Sequence, residues 1–422
     1  MELTDFDPPA IRLVGQEPVA AKGLTAILRD PAQHWPPALL ERPFVEGRAG
    51  KSRIALIASP QVIDEMLRDR AGRFPRSRLH DRMLGMGYGE NLLRGMQSDV
   101  RKQRREIAQP LNLPSASNPV PRILGACDRI VREWRSSRAP VNVLRDARRF
   151  ALDALWRCFF CDEEQAASAE PLAETAASAI DAQREPSLSG QLAELLPLAR
   201  LSLRRLGPAV DHHDETHDLN AMLLFLSVGH DNVAATLSWA LWLLANDQEL
   251  QSRIREEWRA APARERPDGV DLAAYAMTGA VVREALRLYP PVLHLAREAA
   301  IDVEVEGERI AAGFTAVLSI YAMHRNRLWW DEPDAFRPER FLGDAGRARS
   351  QALWLPYGIG PRGCIGAGFA QVELVVALGA ILSAVELTPN SGRALACRAE
   401  WVLRPEGRDV LLARPLPVMF RS

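Results

Sequence analysis

The sequence predicts a mainly α-helical protein with a smaller β-rich portion. Apolar residues follow a helical period through most of residues 119–206. The longest helical pattern covers residues 218–246, and a further one covers residues 272–288 and stops at a double proline. Short runs of β-type residues follow, with turns at Gly307 and Gly313. Long helices before a set of short strands indicate this fold class.

Composition and charge are those of an ordinary soluble globular protein. The chain has 422 residues, 47% hydrophobic and 25% charged, and its formal net charge is −1. Such a balance gives no general attraction to nucleic acid or to a membrane surface. The five cysteines are scattered and odd in number, which argues against a disulfide framework. We see no secretion signal and no apolar stretch of membrane length, so we expect a soluble cytoplasmic protein. The use of arginine for nearly all positive charge fits a GC-rich bacterial genome.

The first hundred residues contain few regular elements. Residues 1–45 are proline-rich and irregular. Ser52–Ile57 is predicted to be a strand, and residues 60–69 are predicted to be a short amphipathic helix. Residues 70–96 form a loop-like region rich in Gly, Met and Arg that could line a pocket. Residues 99–108 are predicted to be a basic helix.

Two candidate metal patterns have simpler interpretations. Cys158 and Cys161 have CxxC spacing, but they lie in an apolar helical run without a second pair, which favours core packing. His213 and His217 have the i,i+4 spacing of a zinc-binding helix. The glutamate is misplaced for H-E-x-x-H, so residues 211–218 are interpreted as a solvated linker that caps the next helix.

The long helix has a polar cluster at its centre. Gly229-His230-Asp231-Asn232 separates two apolar ends of residues 218–246. A buried carboxylate is costly unless it has a partner, and glycine weakens a helix. The cluster therefore predicts a reaction site. The alternative is that this turn faces solvent.

Glu284 and Arg287 are i,i+3 neighbours on the predicted helix of residues 272–288. Their pairing could be structural, or it could be a surface ion pair worth under about 1 kcal/mol. Short strands are then predicted over residues 303–305, 309–310 and 316–321, a proline-punctuated meander over 324–341, and closing strands near 402–403 and 410–412.

One cysteine lies in a glycine-rich loop directly before a helix. The loop covers residues 355–366, is called the cysteine loop below, and precedes a helical run over residues 367–385. A helix N-terminus favours a thiolate over a thiol, and Arg362 adds a cation beside Cys364. Such a thiolate is a good soft ligand for haem iron.

The same residues also match a dinucleotide fingerprint. Residues 358–363 read G-x-G-x-x-G, and Glu386 lies about twenty residues further on. Residues 352–355 could be the strand that such a fingerprint requires. A nicotinamide-dependent dehydrogenase is therefore a competing interpretation of this segment.

Four separated motifs resemble those of the cytochrome P-450 family, in the family's order. They are Val228-Gly-His-Asp-Asn232 on the long helix, Glu284-Ala-Leu-Arg287, Pro338-Glu-Arg-Phe341, and Tyr357-Gly-Ile-Gly-Pro-Arg-Gly-Cys364-Ile-Gly366. The resemblance extends from about Ile54 to Leu412. It implies the cytochrome P-450 fold, a helical prism that encloses haem b, in a single domain over residues 1–422. It further implies a soluble bacterial-type monooxygenase that inserts one oxygen atom from O2 into a hydrophobic substrate.

The resemblance also implies roles for individual residues. Cys364 would be the axial ligand of the haem iron, and Tyr357 and Gly358 would line the cofactor. Tyr357 replaces the family's usual phenylalanine, so its hydroxyl is expected to change the iron potential modestly. The propionate-binding candidates are Arg362, Arg297 and Arg104. The family's tryptophan near Arg104 is missing. The structural network would be Glu284, Arg287 and Arg340.

Asp231 and Asn232 are the catalytic candidates. Asn232 stands where the family usually has threonine, and an amide cannot relay a proton through one atom as a hydroxyl can. We expect Asp231 with ordered water to deliver protons, while Asn232 positions oxygen or the substrate. The substrate pocket is expected to include Met86, Phe225, Val228, Gly229, Val292, Leu293 and His294.

The chain contains no flavin or iron–sulfur module, so electrons would come from a separate donor. The basic run near Arg101 suits an acidic ferredoxin or flavodoxin-type protein. Two competing functions remain. One is a haem-thiolate enzyme with another net reaction, as a peroxygenase, isomerase, dehydratase or oxidative coupling enzyme. The other is a non-catalytic haem sensor.

Overall fold

The computed structural model describes most of the chain outside two long segments and the two ends. The described residues are 8–17, 19–21, 27–28, 30–69, 71–77, 119–137, 139–160, 215–260, 271–305, 308–391, 393, 395–399 and 403–417. The predicted basic helix at 99–108, Met86, Arg104 and Cys161 lie outside them.

The predicted fold class, mainly α with a smaller β-rich portion, is confirmed. The helices are α1 (Pro31–His34), α2 (Pro60–Arg68), α3 (Val120–Ser136), α4 (Val143–Phe160), α5 (Glu215–Ala245), α6 (Gln248–Ala260), α7 (Ala276–Leu288), α8 (Ile320–Arg325), α9 (Gly343–Leu353) and α10 (Ala367–Ala384). The strands are β1 (Val19–Ala21), β2 (Phe44–Ala49), β3 (Ser52–Ile57), β4 (His294–Glu298), β5 (Val303–Val305), β6 (Glu308–Ile310), β7 (Thr315–Ser319), β8 (Val385–Pro389), β9 (Ala396–Ala399), β10 (Leu403–Glu406) and β11 (Leu411–Pro415).

The chain divides into two compact units. The first contains Met1–Met83, Arg283–Cys364 and Leu395–Glu406, and the second contains Leu84–Val282, Ile365–Ala394 and Gly407–Ser422. The single-domain organisation expected from the sequence stays a prediction.

The first unit is built on a five-stranded mixed sheet of order β1-β2-β3-β7-β4. β2 and β3 form an antiparallel pair, β3 and β7 run parallel, and β4 pairs antiparallel with β7, with His294 opposite Ser319. Ser59 follows β3 by two residues and is the N-cap of α2. Its side chain accepts from the Val62 N–H, and Pro60 occupies the first helical turn. Apolar side chains of the sheet and of α2 then form one buried cluster, which includes Ile57, Ile63, Met66, Phe314, Leu318 and Leu355.

The second unit is a helical body in which α4 and α5 pack antiparallel. Ser238 on α5 donates to the Val143 carbonyl at the start of α4 (3.4 Å). At the other end, the rings of Phe225 on α5 and Phe159 on α4 meet edge to face, with centroids 5.5 Å apart. The two helices therefore contact each other along most of α4, and the polar centre of α5 lies within the length of this contact.

α10 is the helix that follows the cysteine loop. Within the described residues, it is the helix whose length and apolar composition would suffice to cross a membrane, but 61% of it is buried inside the protein. Gly379 permits the close approach of α6, because a Cβ at this position would lie 2.2 Å from the Trp258 ring. The apolar character of α10 is therefore that of a core helix.

Most predicted elements lie where the sequence places them, with three corrections. Residues 1–45 are not irregular throughout, because they contain α1 and also β1, which joins the five-stranded sheet beside β2. The strand predicted over residues 316–321 ends at Ser319, because the Ser319 hydroxyl accepts from the Ala322 N–H and begins α8. The strand considered over residues 352–355 is wrong, because α9 continues to Leu353. The dinucleotide interpretation loses the strand on which it depended.

Candidate functional site

The cysteine loop is a tight turn closed by backbone hydrogen bonds. The N–H of Cys364 donates to the Tyr357 carbonyl at 2.8 Å, and the N–H of Gly363 donates to the Gly360 carbonyl at 3.1 Å. Cys364 forms no disulfide and is exposed. The loop therefore fixes the peptide of Cys364 and leaves its thiol accessible to a ligand.

Two glycines in the loop meet different requirements. Gly358 and Gly360 both have a positive φ, of 60° and 74°. At Gly360 an added Cβ would also lie 2.3 Å from the carbonyl oxygen of Leu67 at the end of α2. Glycine at this position lets the loop lie directly against α2, so the close approach is to the protein's own backbone.

Tyr357 is fixed by aromatic packing. Its ring meets that of Trp354 edge to face, with centroids 5.8 Å apart. The Trp354 indole N–H in turn donates to the Arg283 carbonyl on α7 at 2.9 Å. The start of the cysteine loop is thus attached to α7 through one tryptophan.

The Glu284–Arg287 pair is buried and belongs to a larger network. Both side chains have 0% exposure, and two hydrogen bonds of 2.7 and 2.8 Å join the guanidinium to the carboxylate. Arg340 Nε donates to the same carboxylate at 3.1 Å. The structure therefore brings the three predicted network residues together, and the alternative of a surface ion pair is wrong.

Arg287 also holds the meander through main-chain carbonyls. Its Nη1 donates to His324 (2.8 Å) and Pro333 (2.6 Å), and its Nη2 donates to Ala335 (3.1 Å). The guanidinium lies 5.0 Å from the centroid of the Trp330 ring. A buried arginine with this many acceptors is a structural anchor.

The predicted propionate-binding residues have different settings. Arg297 lies on β4, is only 7% exposed, and donates from Nη1 to the Ala296 carbonyl at 3.0 Å. Arg362 ends the 3-10 turn of the cysteine loop and is half-buried. Arg104 lies outside the described residues.

On the long helix, Asp231 has a partner that the sequence did not reveal. Its carboxylate forms an ion pair with Arg148 Nε on α4 at 3.2 Å, and both side chains are under 10% exposed. His230 and Asp231 are therefore buried, whereas Val228 and Asn232 of the same turn are not, so the alternative that one side of this turn faces solvent stays open. One signal was present in the sequence: Arg148 shares a helical stripe with the buried Leu152 and Leu155, which is an unusual place for a charge.

Other polar groups at the centre of α5 bond within the helix. His230 is buried, and its Nδ1 lies 2.7 Å from the Leu226 carbonyl. The hydroxyl of Thr236 donates to the Asn232 carbonyl at 2.9 Å. Thr236 thus uses its hydroxyl inside the helix and does not replace the threonine that is missing at Asn232.

Two predicted pocket residues on α5 face α4. A Cβ added at Gly229 would lie 3.1 Å from Leu155, so this glycine admits the neighbouring helix. Phe225 meets Phe159 as described above. These contacts are packing contacts, and a substrate role for either residue stays a prediction. Val228, on the same helix, is 40% exposed.

The pocket residues predicted after α7 also differ from one another. Val292 is 36% exposed, whereas Leu293 is buried and its carbonyl accepts from the Tyr321 N–H (3.1 Å). His294 packs edge to face on Trp35, and burial lowers the pKa of His294 to about 4. This histidine is thus neutral at pH 7, which removes charge but leaves a polar ring. Met86 lies outside the described residues.

Cys161 and His213, each one half of a candidate metal pattern, lie outside the described residues, so the interpretation of both patterns stays a prediction. Among the described residues, no group of three or more His, Cys, Asp or Glu side chains could hold a metal ion. Burial is the main cause that raises the pKa of the Cys158 thiol, so this thiol stays protonated in the core.

Comparison with known proteins agrees with this geometry. A sequence model of the cytochrome P-450 family matches residues 207–412, which hold all four motifs. Residues 207–412 of this chain belong to the cytochrome P-450 family. A curated relative, cytochrome P-450 4X1 of Mus musculus, is 37% identical over 188 residues, which are 43% of this chain and 36% of the relative. The chain spans less than half the length of three curated relatives that it matches.

Solved structures of cytochromes P-450 share the fold. A crystal structure of a cytochrome P-450 (CYP102L1) has a TM-score of 0.69 and 22% identity, over 90% of this chain and 96% of that chain. A six-coordinated cytochrome P-450 from Thermus thermophilus has a TM-score of 0.65 and 26% identity, over 86% and 93% of the two chains. The cytochrome P-450 fold predicted from the four motifs is confirmed.

The cytochrome P-450 family binds haem b, and the residues of this chain fit that cofactor. Cys364 supplies an accessible soft sulfur ligand on a fixed peptide. A Cβ placed at Gly366 would meet no described atom within 4 Å. Arg297 and Arg362 are cations suited to carboxylate groups such as propionates.

Proposed function

We infer that this protein is a haem-thiolate monooxygenase that inserts one oxygen atom from O2 into a hydrophobic small molecule. The observation that carries this proposal is the closed cysteine loop, which holds the peptide of Cys364 while its thiol stays exposed. Membership of a family whose members are generally monooxygenases supports it. When bound, haem b with a thiolate ligand supplies the activation of O2 that such an insertion requires.

Cys364 would ligate the haem iron, and Arg297 and Arg362 would bind its propionates, with Arg104 as a further candidate. Tyr357 and Gly358 would lie along the cofactor. Glu284, Arg287 and Arg340 would contribute only by holding the meander, because their charges are satisfied by one another and by carbonyls. None of these three would touch a reacting atom.

Asp231 would be the group that moves protons. The Arg148 guanidinium pairs with its Oδ1 and holds the carboxylate on the α4 side of the helix. The ion pair would thereby fix the position from which Asp231, with ordered water, passes a proton. Asn232 would orient a water molecule or the substrate with its amide.

The substrate would be a hydrophobic small molecule of terpenoid, steroid, fatty-acyl or aromatic type. Val228 and Val292 support this class, because they are apolar side chains that remain substantially exposed. Phe225, Gly229, Leu293 and Met86 complete the proposed apolar pocket, and the neutral ring of His294 would be its polar member.

Electrons would come from a separate ferredoxin or flavodoxin-type protein, and the enzyme would work in the cytoplasm without membrane or nucleic-acid partners. The basic run near Arg101 supports an acidic donor. These assignments follow from sequence and charge alone.

A second candidate is a haem-thiolate enzyme whose net reaction is not oxygen insertion, such as a peroxygenase, isomerase, dehydratase or oxidative coupling enzyme. The observation that favours it is Asn232, since the usual hydroxyl is absent and Thr236 does not supply one. A peroxide-using enzyme would not need protons delivered to oxygen.

Labelled oxygen gas separates the two candidates. The haem-loaded chain, with a surrogate redox system and a substrate found by spectral-shift screening, is expected to place one labelled atom in the product. Cys364→Ser should abolish incorporation, whereas Cys397→Ser, at a partly buried cysteine of β9, should retain it. Product formed without label would exclude the monooxygenase.

A further inference from the structure

His324 connects two parts of the site that are distant in the chain. It lies in the last turn of α8 and has 0% exposure. Its carbonyl accepts from Arg287 Nη1 at 2.8 Å, and its ring Nε2 accepts from the Leu355 N–H at 3.0 Å. One residue thus joins the Glu284–Arg287 pair to the first residue of the cysteine loop.

Further hydrogen bonds lead from Leu355 to the cysteine. The Leu355 carbonyl accepts from the Gly358 N–H at 3.0 Å. The Tyr357 carbonyl, one residue before Gly358, accepts from the Cys364 N–H at 2.8 Å. A displacement of Leu355 is therefore passed through two short turns to the peptide that carries the thiol.

We propose that His324 is a positioning residue for Cys364, which holds Leu355 and thereby sets the direction of the thiol. The proposal rests on the proposed function, because this direction affects chemistry only when Cys364 binds haem iron. His324 would touch neither the cofactor nor the substrate.

The role requires a neutral ring. Because Leu355 donates, Nε2 must offer a lone pair, which assigns the ring proton to Nδ1, and an imidazolium could not accept this bond. Burial and the nearby charge of Arg287 lower the pKa of His324 to about 3. The charged groups that act on the ring are Arg287 on α7 and Arg325 on α8, both cations. The surroundings therefore keep the imidazole in the form that accepts from Leu355.

Three variants of the full haem-loaded chain test the proposal. His324→Phe keeps a ring and removes the acceptor, while His324→Gln keeps an acceptor at a similar distance and does not titrate. The matched control is Tyr321→Phe, which removes another buried acceptor of α8, the hydroxyl that binds the Ile11 N–H at 2.9 Å. The readouts are the Soret band of the reduced carbonyl complex, the iron reduction potential, and amide hydrogen exchange in residues 355–364.

His324→Phe is expected to lose most of the thiolate-type Soret band at pH 7. The amide hydrogens of residues 355–364 should exchange about tenfold faster in this variant. His324→Gln should restore both properties, and its acid conversion should have a lower midpoint than that of the wild type. Tyr321→Phe should behave as the wild type. The proposal is overturned if His324→Phe matches Tyr321→Phe, or if His324→Gln fails to restore the band.

Two further outcomes are decisive. If His324→Phe does not fold, His324→Gln alone decides, because an acid midpoint equal to that of the wild type would overturn the proposal. If the wild-type chain shows no thiolate band, the proposed function fails. Hydrogen exchange in residues 355–364 would then still test whether His324 holds the loop.

Discussion

Arg148 and Asp231 form a buried ion pair between α4 and α5, with 3.2 Å between Nε and Oδ1. The pair joins a helix that has no motif of its own to the polar centre of the long helix. Because both charges are removed from water, each depends on the other for compensation. The pair therefore links the stability of the helical unit to the proposed catalytic carboxylate.

Arg148→Met is expected to lower the free energy of unfolding by about 3–5 kcal/mol, because it leaves Asp231 buried without its guanidinium. The double variant Arg148→Met/Asp231→Asn should recover part of this loss. Arg149→Met is the matched control: its partner Glu133 is 41% exposed, so the expected cost is under about 1 kcal/mol. Chemical denaturation measures all three, and equal costs for the two single variants would contradict the account.

Asp231→Asn and Asn232→Ala are expected to lower the amount of product formed per reduced cofactor. Asp231→Asn removes the proton-carrying group, while Asn232→Ala removes the amide that orients water or substrate. Product and hydrogen peroxide are measured together at saturating substrate. Unchanged coupling in both variants would mean that neither residue handles protons or oxygen.

Gly360→Ala is expected to destabilise the protein and to reduce the fraction of thiolate-ligated haem. The substitution combines a positive φ with a Cβ that lies 2.3 Å from the Leu67 carbonyl. Gly343→Ala is the control, because it has a similar φ of 63° and no atom within 4 Å of the added Cβ, so only about 1–2 kcal/mol of backbone strain is expected. Equal losses of stability and of the Soret band in both variants would show that loop contact with α2 is unimportant.

Glu373→Gln is expected to make the protein more stable at alkaline pH. Burial raises the pKa of Glu373 on α10 well above its ordinary 4.5, so the folded state keeps a proton that the unfolded chain releases. The stability that the protonated Glu373 contributes is then fully present below about pH 4.5. It falls as pH rises towards the folded pKa, by up to about 1.4 kcal/mol per pH unit.

The gain from Glu373→Gln should therefore be larger at pH 8 than at pH 5. Glu249→Gln, at an exposed position of α6, should change little at either pH. Thermal unfolding at the two pH values provides the measurement, and a gain independent of pH would refute the buried proton.

The sequence predicted the parts of the site whose residues lie close together in the chain, and the resemblance to the family added Arg340, which lies 56 residues after Glu284. Cys364 and its glycines form one loop, and Glu284 and Arg287 lie one helical turn apart, so spacing alone reveals them. The sequence did not reveal the contacts of Arg148 and His324, because their partners, Asp231 and Leu355, are brought near only by packing. Long helices were equally predictable from their period. The strand that begins at Thr315 was predicted to end too late, because the sequence does not show that the Ser319 hydroxyl caps the next helix.

The ligation of haem iron by Cys364 is the central claim, and the absorption spectrum of the reduced carbonyl complex tests it most directly. The purified wild-type chain is expected to be red and to show the red-shifted Soret band of thiolate ligation. Cys364→Ser should lose this band, and Cys397→Ser should keep it. A wild-type protein that contains no haem, or whose Soret band does not depend on Cys364, would contradict the account.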